Sequence, residues 1–404
     1  MRFLYTFGIY LPYQILKIAA YFNPKLKLWV KAQKNINYSN NAPNKNVVWF
    51  HAASYGEFEQ AEPVIAQYKT NHPNDYILLS FFSPSGKEKH NNYKNADEVI
   101  YLPIDIPANV NAFLNHYQPT LAVFVKYEYW FNFLHQLYLR NIPTVYFSCV
   151  FTPNQFYFKP YAKWFLKHLQ KVKVFLVQNE ASLQVAKKNK LNAIISGDTR
   201  VDKVILNTKE KKDFPLIKDF CERKPTIVLG SMWQQDWELW KKTLKNLKDF
   251  QIILAPHEVN DGNIKKFDGV NWMYLSQINT LNDTPFLLID SIGILKYIYK
   301  YASLVYIGGG FGKGIHNILE ANVFGKAVIF GPKYHKAKEA IDLIYLKCTF
   351  SISNEDDLLN KINWIVKNQI EIQNKLTKYF EANNGATKTV IQKLENIKKN
   401  HQDI

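Results

Sequence analysis

Short apolar runs alternate with amphipathic segments along most of this chain. Seven runs rich in β-branched and aromatic residues lie in the first half, and they read NVVWFHAAS, YILLSFFS, EVIYLPID, LAVFVKYE, TVYFSCV, VFLVQN and AIISGD. Five more lie in the second half, and they read TIVLGS, QIILAP, FLLID, LVYIGGG and AVIFGP. Strands that alternate with helices in this way are typical of βαβ units. The pattern therefore predicts parallel sheets flanked by helices.

A charged stretch separates the two series of strands. Residues 207–225, NTKEKKDFPLIKDFCERKP, contain two prolines and no strand-like run, so we predict a linker there. The length of 404 residues suits two domains. We predict an N-terminal segment at 1–34, a Rossmann-like domain at 35–206, and a second Rossmann-like domain at 226–404 with closing C-terminal helices. Ligands bind at the carboxyl ends of such sheets, so we expect a cleft between the two domains.

The N-terminal segment is apolar first and basic afterwards. The stretch from Phe3 to Phe22 is rich in aromatic residues, and four lysines follow within residues 25–34. This arrangement predicts a membrane-anchor helix with its basic flank on the cytoplasmic side. Pro12 and Lys17 interrupt the apolar run, which leaves open a helix that lies in the membrane interface or an ordinary buried helix.

Charge and cysteine usage narrow the classes of partner. Lys and Arg outnumber Asp and Glu by 51 to 34, a net charge of +17. Because no zinc finger or RNP-like motif accompanies this charge, we expect an anionic membrane surface as the partner and no nucleic acid. Cys149, Cys221 and Cys348 are far apart and form no CxxC pair, so we expect neither a disulfide framework nor a metal site.

The first candidate site follows the first apolar run, in HAASYGEFEQAEPVI at residues 51–65. One interpretation is a capping box, in which Ser54 caps a helix and Glu57 reaches back to it. The other is catalytic: Gly56 lets a substrate approach, and Glu57 points into the cleft as a general base. The local pattern leaves both open.

The second candidate site is the glycine-rich segment at residues 304–332. Gly308, Gly309 and Gly310 allow backbone amides to approach phosphate oxygens, at the start of a helix predicted near His316. Glu320 would accept hydrogen bonds from ribose hydroxyls. The alternative is a tight crossover with Glu320 as a solvated charge. The spacing fits neither a dinucleotide fingerprint nor a Walker A loop.

Two further strand ends carry candidate residues. Gly230 and Ser231 end TIVLGS, and their amides and hydroxyl suit a phosphate, although an ordinary helix N-cap explains them equally well. His257 ends the strand QIILAP, where a lone histidine is also compatible with a simple turn.

Four segments in order resemble the Kdo (3-deoxy-D-manno-octulosonic acid) transferases of lipopolysaccharide synthesis. HAASYGE is similar to the family's HAxSxGE, and VKYEYWFN to its E-x-E-x-W-P-N. SGDTRVD is similar to G-N-x-K-x-D, and GGGFGKGIHNILEANVFGKAVIFGP to GGS…GGHNxLEPAxxGxPVxxGP. The matches extend from the N-terminal segment to about residue 340.

The resemblance implies a GT-B glycosyltransferase whose two Rossmann-like domains face a cleft. It implies transfer of Kdo from CMP-Kdo to a lipid A precursor at the inner (cytoplasmic) membrane, with inversion and without metal or cofactor. Glu57 matches the family's catalytic base, and Ser54, Gly56 and Glu128 are expected on the acceptor side. The residues expected to contact the nucleotide or its phosphate are Gly230, Ser231, His257, Gly308, Gly309, Gly310, Asn317 and Glu320.

Several positions depart from the family pattern. Lys126 replaces the first acid of E-x-E, Phe131 replaces the proline, and Thr152 or its neighbours stand where relatives have an arginine. The arginine usual beside His257 is also missing. These changes leave open which cation binds the Kdo carboxylate. The candidates are Lys126, Arg200 and Lys313.

Two other functions compete with this interpretation. One is a GT-B enzyme that uses a UDP-sugar, such as a lipid-A-disaccharide synthase-like transferase or a UDP-sugar epimerase. The other is a catalytically silent protein that binds membrane or nucleic acid through its charge, with binding that falls steeply with salt. The ordered set of four segments favours the Kdo transferase.

Overall fold

Every apolar run predicted as a strand contains one in the structure. The computed structural model describes residues 1–34, 36, 43–210 and 212–402. These residues divide into two units, of which the first comprises Met1–Lys203 with Asn383–Ile404 and the second comprises Val204–Ala382. Each unit contains one seven-stranded sheet, and its described strand pairs are parallel. The fold is therefore two doubly wound α/β units.

The sheet of the first unit reverses its direction of growth at its centre. Its strands are β1 Val47–Ala52, β2 Tyr76–Phe81, β3 Glu98–Tyr101, β4 Leu121–Val125, β5 Thr144–Cys149, β6 Val174–Val177 and β7 Ala193–Ile195. Their order is β3-β2-β1-β4-β5-β6-β7. The chain builds outward to β3 and then returns to the other side of β1, so the carboxyl ends of β1 and β4 form the switch point at which doubly wound sheets bind ligands.

Helices cover both faces of this sheet, and β1 is therefore buried along its whole length. Trp49 packs on one face against Phe113 and Phe124, and Phe50 packs on the other against Tyr68. The helices before the unit boundary are α1 Arg2–Ala19, α2 Pro24–Lys34, α3 Tyr55–Asn71, α4 Pro84–His90, α5 Pro107–Tyr117, α6 Phe131–Leu139, α7 Lys163–Leu169 and α8 Glu180–Lys188, and the boundary itself lies within α9 Thr199–Thr208.

The second unit repeats this plan with two short strands that were not predicted. Its strands are β8 Thr226–Met232, β9 Gln251–Pro256, β10 Met273–Tyr274, β11 Phe286–Leu288, β12 Leu304–Ile307, β13 Val328–Phe330 and β14 Thr349–Ser351. Their order is β10-β11-β9-β8-β12-β13-β14. Gly230 pairs with Ile307, so the ends of β8 and β12 form the switch point of this sheet. Both strand ends carry predicted site residues.

Helices again flank the sheet of the second unit. They are α10 Pro215–Arg223, α11 Gln234–Thr243, α12 Asp261–Ile264, α13 Leu295–Ile298, α14 Leu319–Asn322, α15 Lys338–Tyr345, α16 Glu355–Lys367 and α17 Gln369–Asn383, and a last helix, α18 Ala386–Gln402, follows them in the chain.

The division of the chain differs from the predicted ranges at two places. The predicted linker contains α10, whose Ile217 and Phe220 are buried. The stretch therefore forms an amphipathic helix with one buried apolar face, although most of its residues are polar or charged. The last helix, α18, belongs to the first unit, where Val390 and Leu394 join the core beside α3. Burial of an apolar helix face against the other end of the chain is a tertiary effect, which local patterns do not reveal.

Helix α1 docks on the first unit by one face only. The Tyr5 hydroxyl donates to Asp105 Oδ2 at 2.8 Å, and Arg2 Nε donates to Asn132 Oδ1 at 3.0 Å. The opposite face is apolar and exposed, and its most exposed members are Phe3, Leu4, Phe7, Ile15 and Ile18. Among the helices of the described residues, none has the length and apolar character needed to cross a membrane.

Candidate functional site

The predicted base lies in the first turn of α3, directly after β1. Ser54 is the N-cap residue, but its hydroxyl donates to Glu57 Oε2 and caps no backbone N–H. The capping-box interpretation is therefore wrong for the Ser54 side chain. Glu57 is half-buried. A Cβ added to Gly56 would meet only Ser54 Oγ, at 4.0 Å, so the space beside this turn is open.

A buried histidine that sequence reasoning did not select connects β1 to Glu128. Trp49 Nε1 donates to Ser80 Oγ at 2.8 Å, and Ser80 Oγ lies 2.8 Å from His51 Nδ1. Nδ1 also lies 3.1 Å from the Ser80 carbonyl oxygen. Because a carbonyl oxygen can only accept, Nδ1 carries a proton and donates to Ser80. Nε2 faces Glu128 Oε2 at 3.5 Å. Glu128 thus stands at the switch point between β1 and β4, as does Glu57.

Two of the three candidate cations lie together in the first unit. With the side-chain amide of Gln60 oriented to satisfy both, its oxygen accepts from Lys126 Nζ at 3.0 Å and from Arg200 Nε at 3.1 Å. Gln60 is buried one turn after Glu57 on α3. Asp198 balances Arg200 through two further contacts, of 2.9 Å and 2.6 Å. Lys126 and Arg200 therefore meet at Gln60, which lies one turn after the predicted base on α3.

The glycine-rich segment uses its amides inside the fold. The N–H of Gly308 donates to the carbonyl of Gly230 at 2.9 Å, and the N–H of Gly309 donates to Asp236 Oδ2 at 2.8 Å. A Cβ on Gly308 would lie 2.3 Å from the Ser231 carbonyl oxygen, and one on Gly310 would lie 2.4 Å from Gly331 N. The predicted phosphate cradle is therefore not formed by the first two amides, although nucleotide binding by this segment stays a prediction.

Asp236, which sequence reasoning missed, organises this segment. It is fully buried at the start of α11 and also accepts from the Tyr306 hydroxyl at 2.7 Å. Burial raises the pKa of its carboxyl, while the N–H of Gly309 and the Tyr306 hydroxyl oppose the shift. The carboxylate accepts hydrogen bonds from the loop in the way that a bound anion accepts them from a helix N-terminus.

The helix predicted near His316 begins three residues later. Helix α14 starts at Leu319 and has four residues. Asn317 Oδ1 accepts from the N–H of Leu319 at 3.1 Å, and this local bond competes with helical pairing. Asn317 Nδ2 also contacts Glu320 Oε1 at 3.4 Å. These two predicted residues are neighbours, but so short a helix presents no extended dipole to a phosphate.

Three aromatic side chains stack at the ends of β8 and β9. The ring of His257 lies 4.4 Å from Trp233 and 4.3 Å from His316. Trp233 Nε1 donates to His316 Nε2 at 3.0 Å, so the proton of His316 is on Nδ1. Burial, with a smaller effect from His257, lowers the pKa of His316 to about 4. His316 is thus neutral at pH 7 and offers one N–H donor.

A cavity of about 280 Å³ opens beside this stack and is lined by Trp233, His257 and Lys266, among others. Gly230 has a packing role, since a Cβ there would lie 2.2 Å from the Tyr299 hydroxyl. Ser231 follows it with a φ of 53°. Within the described part of the chain, no group of three or more His, Cys, Asp or Glu is arranged to hold a metal ion.

Comparison with known proteins identifies relatives of this chain. Residues 29–203 match the family model described as 3-deoxy-D-manno-octulosonic-acid transferase (kdotransferase). A Kdo transferase of Rickettsia felis is 27% identical over 81% of this chain and 74% of its own length. These similarities support a glycosyltransferase of the Kdo transferase type. The family resemblance identified from four short segments is confirmed.

A second relative is longer. A bifunctional glycosyltransferase/methyltransferase of Fusobacterium nucleatum is 24% identical over 94% of this chain, and the chain spans only 62% of its length. Among solved structures, UDP-GlcNAc 2-epimerase of Neisseria meningitidis covers 87% of the glycosyltransferase with a TM-score of 0.62 and 12% identity, and all of its own chain is matched. MurG of Acinetobacter baumannii covers 87%, with 99% of its own chain matched, a TM-score of 0.56 and 12% identity. These structures support the GT-B fold.

Proposed function

We propose that this glycosyltransferase moves Kdo from CMP-Kdo to a hydroxyl of a lipid A precursor, with inversion and without a metal. The observation that carries the proposal is the position of Glu57, half-buried beside open space at the switch point of the first sheet. Doubly wound sheets present catalytic side chains at this position. The family match supports transfer of Kdo, while CMP-Kdo as the donor and the lipid A precursor as the acceptor are part of the proposal.

Glu57 takes the proton of the acceptor hydroxyl in the proposed reaction. The hydroxyl oxygen then forms a bond to the anomeric carbon of Kdo, the bond from that carbon to the phosphate oxygen breaks, and CMP leaves. The hydrogen bond from Ser54 orients the Glu57 carboxylate, since a general base must be fixed within reach of its proton. Lys126 and Arg200 stay the proposed cations for the Kdo carboxylate.

The second unit binds the nucleotide in this proposal. Phosphate charge develops as CMP leaves, and preorganised donors stabilise it. Because the amides of Gly308 and Gly309 are already donated, the proposed donors are the Ser231 hydroxyl, the Nδ1–H of His316 and the exposed Lys313. Asn317 and Glu320 are the proposed contacts of the ribose.

The acceptor is proposed to reach the enzyme from the cytoplasmic face of the inner membrane. Helix α1 exposes apolar side chains while its other face is docked, and Lys27, Lys31 and Lys34 are exposed on α2 of the same unit. An apolar face with basic residues beside it is typical of helices that lie in an anionic membrane interface. This supports the interfacial alternative over a membrane-spanning anchor.

Glu57→Gln tests the reaction and the base together. We expect wild-type transfer from CMP-Kdo to a tetra-acylated lipid A precursor to fall by about 10²- to 10⁴-fold in the variant, because general-base catalysis contributes about that factor. CMP binding, measured by calorimetry, should be unchanged. Glu88→Gln, an exposed acid of α4, is the matched control and should retain full activity.

Two results would contradict the proposal. Equal transfer by wild type and Glu57→Gln would exclude Glu57 as the base. A wild type that transfers nothing, and whose nucleotide is displaced by UDP more readily than by CMP, would instead favour the UDP-sugar alternative.

A further inference from the structure

A second cavity lies in the first unit, at the carboxyl ends of β4 and β5. It measures about 400 Å³, which is within the usual range of small-molecule sites, roughly 300–1,000 Å³. Its nine lining residues come from α1, from the segments after β4 and β5, and from α7. We call this cavity the aromatic pocket, and its lining residues are Tyr5, Tyr127, Glu128, Tyr129, Trp130, Gln155, Phe156, Tyr157 and Phe165.

Three polar atoms in the walls of the aromatic pocket lack well-formed hydrogen bonds. The indole N–H of Trp130 is buried without a partner among the described residues, and the buried hydroxyls of Tyr129 and Tyr157 make no well-formed hydrogen bond, although they lie close to each other. Tyr129 is 8% exposed and Tyr157 is 5% exposed. An unsatisfied buried donor costs roughly 1–3 kcal/mol, and native folds contain few such groups. Three of them around one cavity indicate that a polar ligand completes their hydrogen bonds.

The chemistry of the walls narrows the class of ligand. An acyl chain would leave all three donors unsatisfied. A phosphate would meet the carboxylate of Glu128 and no cation, because the nine lining residues include no Lys or Arg. A sugar ring satisfies every part of the pocket. Its C–H face packs on aromatic rings, and its hydroxyls pair with phenol, indole and carboxylate groups.

We infer that the aromatic pocket binds one pyranose ring of the acceptor, an inference that rests on the proposed function. Glu128 joins the pocket to the candidate site, because its carboxylate faces His51 across 3.5 Å. Tyr5 joins it to the exposed apolar helix, because Tyr5 is part of α1. A glycolipid whose chains rest on α1 would thus place its sugar in the pocket, in the same unit as Glu57.

Tyr157→Phe and Trp130→Phe remove two of the three donors while they keep aromatic walls. We expect each variant to raise the KM for the lipid acceptor by about 5- to 10-fold, the effect of one lost hydrogen bond. The KM for CMP-Kdo and kcat should be unchanged. Tyr161→Phe, which alters a tyrosine that is 73% exposed outside the pocket, is the matched control. Thermal unfolding identifies any variant that fails to fold.

A binding measurement separates this inference from the proposed reaction. Saturation-transfer NMR with a soluble, deacylated glucosamine disaccharide should detect contact with the full-length wild type and a loss of signal in the double variant. Transfer by the wild type without disaccharide binding, or with binding unchanged in the double variant, would overturn the inference and leave the reaction intact. Binding that depends on Tyr157 and Trp130, in a wild type that transfers nothing, would support a sugar pocket and refute Kdo transfer.

Discussion

Asp236 is the residue on which the glycine-rich segment of the second unit depends. Its buried carboxylate receives the N–H of Gly309 and the hydroxyl of Tyr306. The protein therefore supplies its own anion to a loop whose composition resembles a phosphate cradle. A nucleotide must use the outer side of this loop, where side chains rather than these amides are available.

Replacing Asp236 by Asn should disturb both folding and nucleotide binding. The amide nitrogen that the substitution introduces would face either the Gly309 N–H or the Tyr306 hydroxyl, each of which donates to the carboxylate in the wild type. Loss of a buried hydrogen bond of this kind costs roughly 1–3 kcal/mol. Urea unfolding should show that loss, and CMP titration should show weaker binding. Glu238→Gln changes an exposed acid on the same helix and should alter neither measurement; if it does, Asp236 has no special role.

Asp105 makes the stability of the first unit depend on pH. Burial raises the pKa of its carboxyl to about 6, against 3.8 for the free side chain, while the N–H of Asn132 and the Tyr5 hydroxyl oppose the shift. The folded state therefore binds this proton more tightly than the unfolded chain does. The contribution is fully present below about pH 4 and is lost as the pH rises through about 6.

The comparison variant is Asp105→Asn, which has no proton to titrate. The free energy of unfolding of the wild type relative to this variant should decrease by about 2–3 kcal/mol between pH 4 and pH 7. Denaturant unfolding at a series of pH values measures it. A difference that stays flat across this range, or that grows with pH, would contradict the raised pKa.

At the scale of elements, α1 is a docked amphipathic helix with its apolar side outward. Changing Phe3, Phe7 and Ile18 to Ser should abolish binding to vesicles of anionic lipid in flotation assays, because these exposed side chains supply the buried apolar area of an interfacial helix. The melting temperature should be unchanged. Tyr345→Ser removes another highly exposed aromatic residue, in the second unit, and should leave vesicle binding intact.

The strands could be predicted from the sequence because β1, β4 and their counterparts are buried runs of β-branched and aromatic residues. The short strands β10 and β14 could not, because β10 has only two residues and β14, Thr349–Ser351, has a hydroxyl residue at each end, so neither forms an apolar run. The helix expected near His316 was misplaced because Asn317 bonds to the N–H of Leu319. Local patterns contain no information about such a side-chain bond.

The candidate site was predictable only where a motif carries it. Ser54, Glu57 and Glu128 were selected through the family segments, and the structure places them around one switch point. His51 stands in the same segment, but nothing in the local sequence indicates that its Nε2 faces Glu128. The aromatic pocket was missed altogether, since its residues come from four separate stretches of the chain.

At the scale of the whole molecule, the chain enters the second unit within α9 and returns to the first with α18. Asp202 holds this return, because its carboxylate accepts from the N–H groups of Gly385 and Thr387. Val390 and Leu394 then complete the core on the α3 side of the first sheet. The last helix thus contributes to the stability of the first unit.

Leu394→Ala should therefore destabilise the first unit. A buried Leu→Ala substitution costs about 2–5 kcal/mol, and hydrogen exchange should rise in β1 and α3 while β12 stays protected. Leu358→Ala, a buried leucine of α16 in the second unit, should produce the reverse pattern. Uniform loss of protection in both variants would show that the two units unfold together.

The return of α18 also has a consequence for biosynthesis. A ribosome that has released the strands of the first sheet must still make the second unit, about 180 residues, before the helix that covers α3 emerges. At roughly 5–20 residues per second this takes roughly 10–40 s. During that time the apolar surface later covered by Val390 and Leu394 is open to solvent. The nascent chain should therefore bind chaperones until its last helix is synthesised.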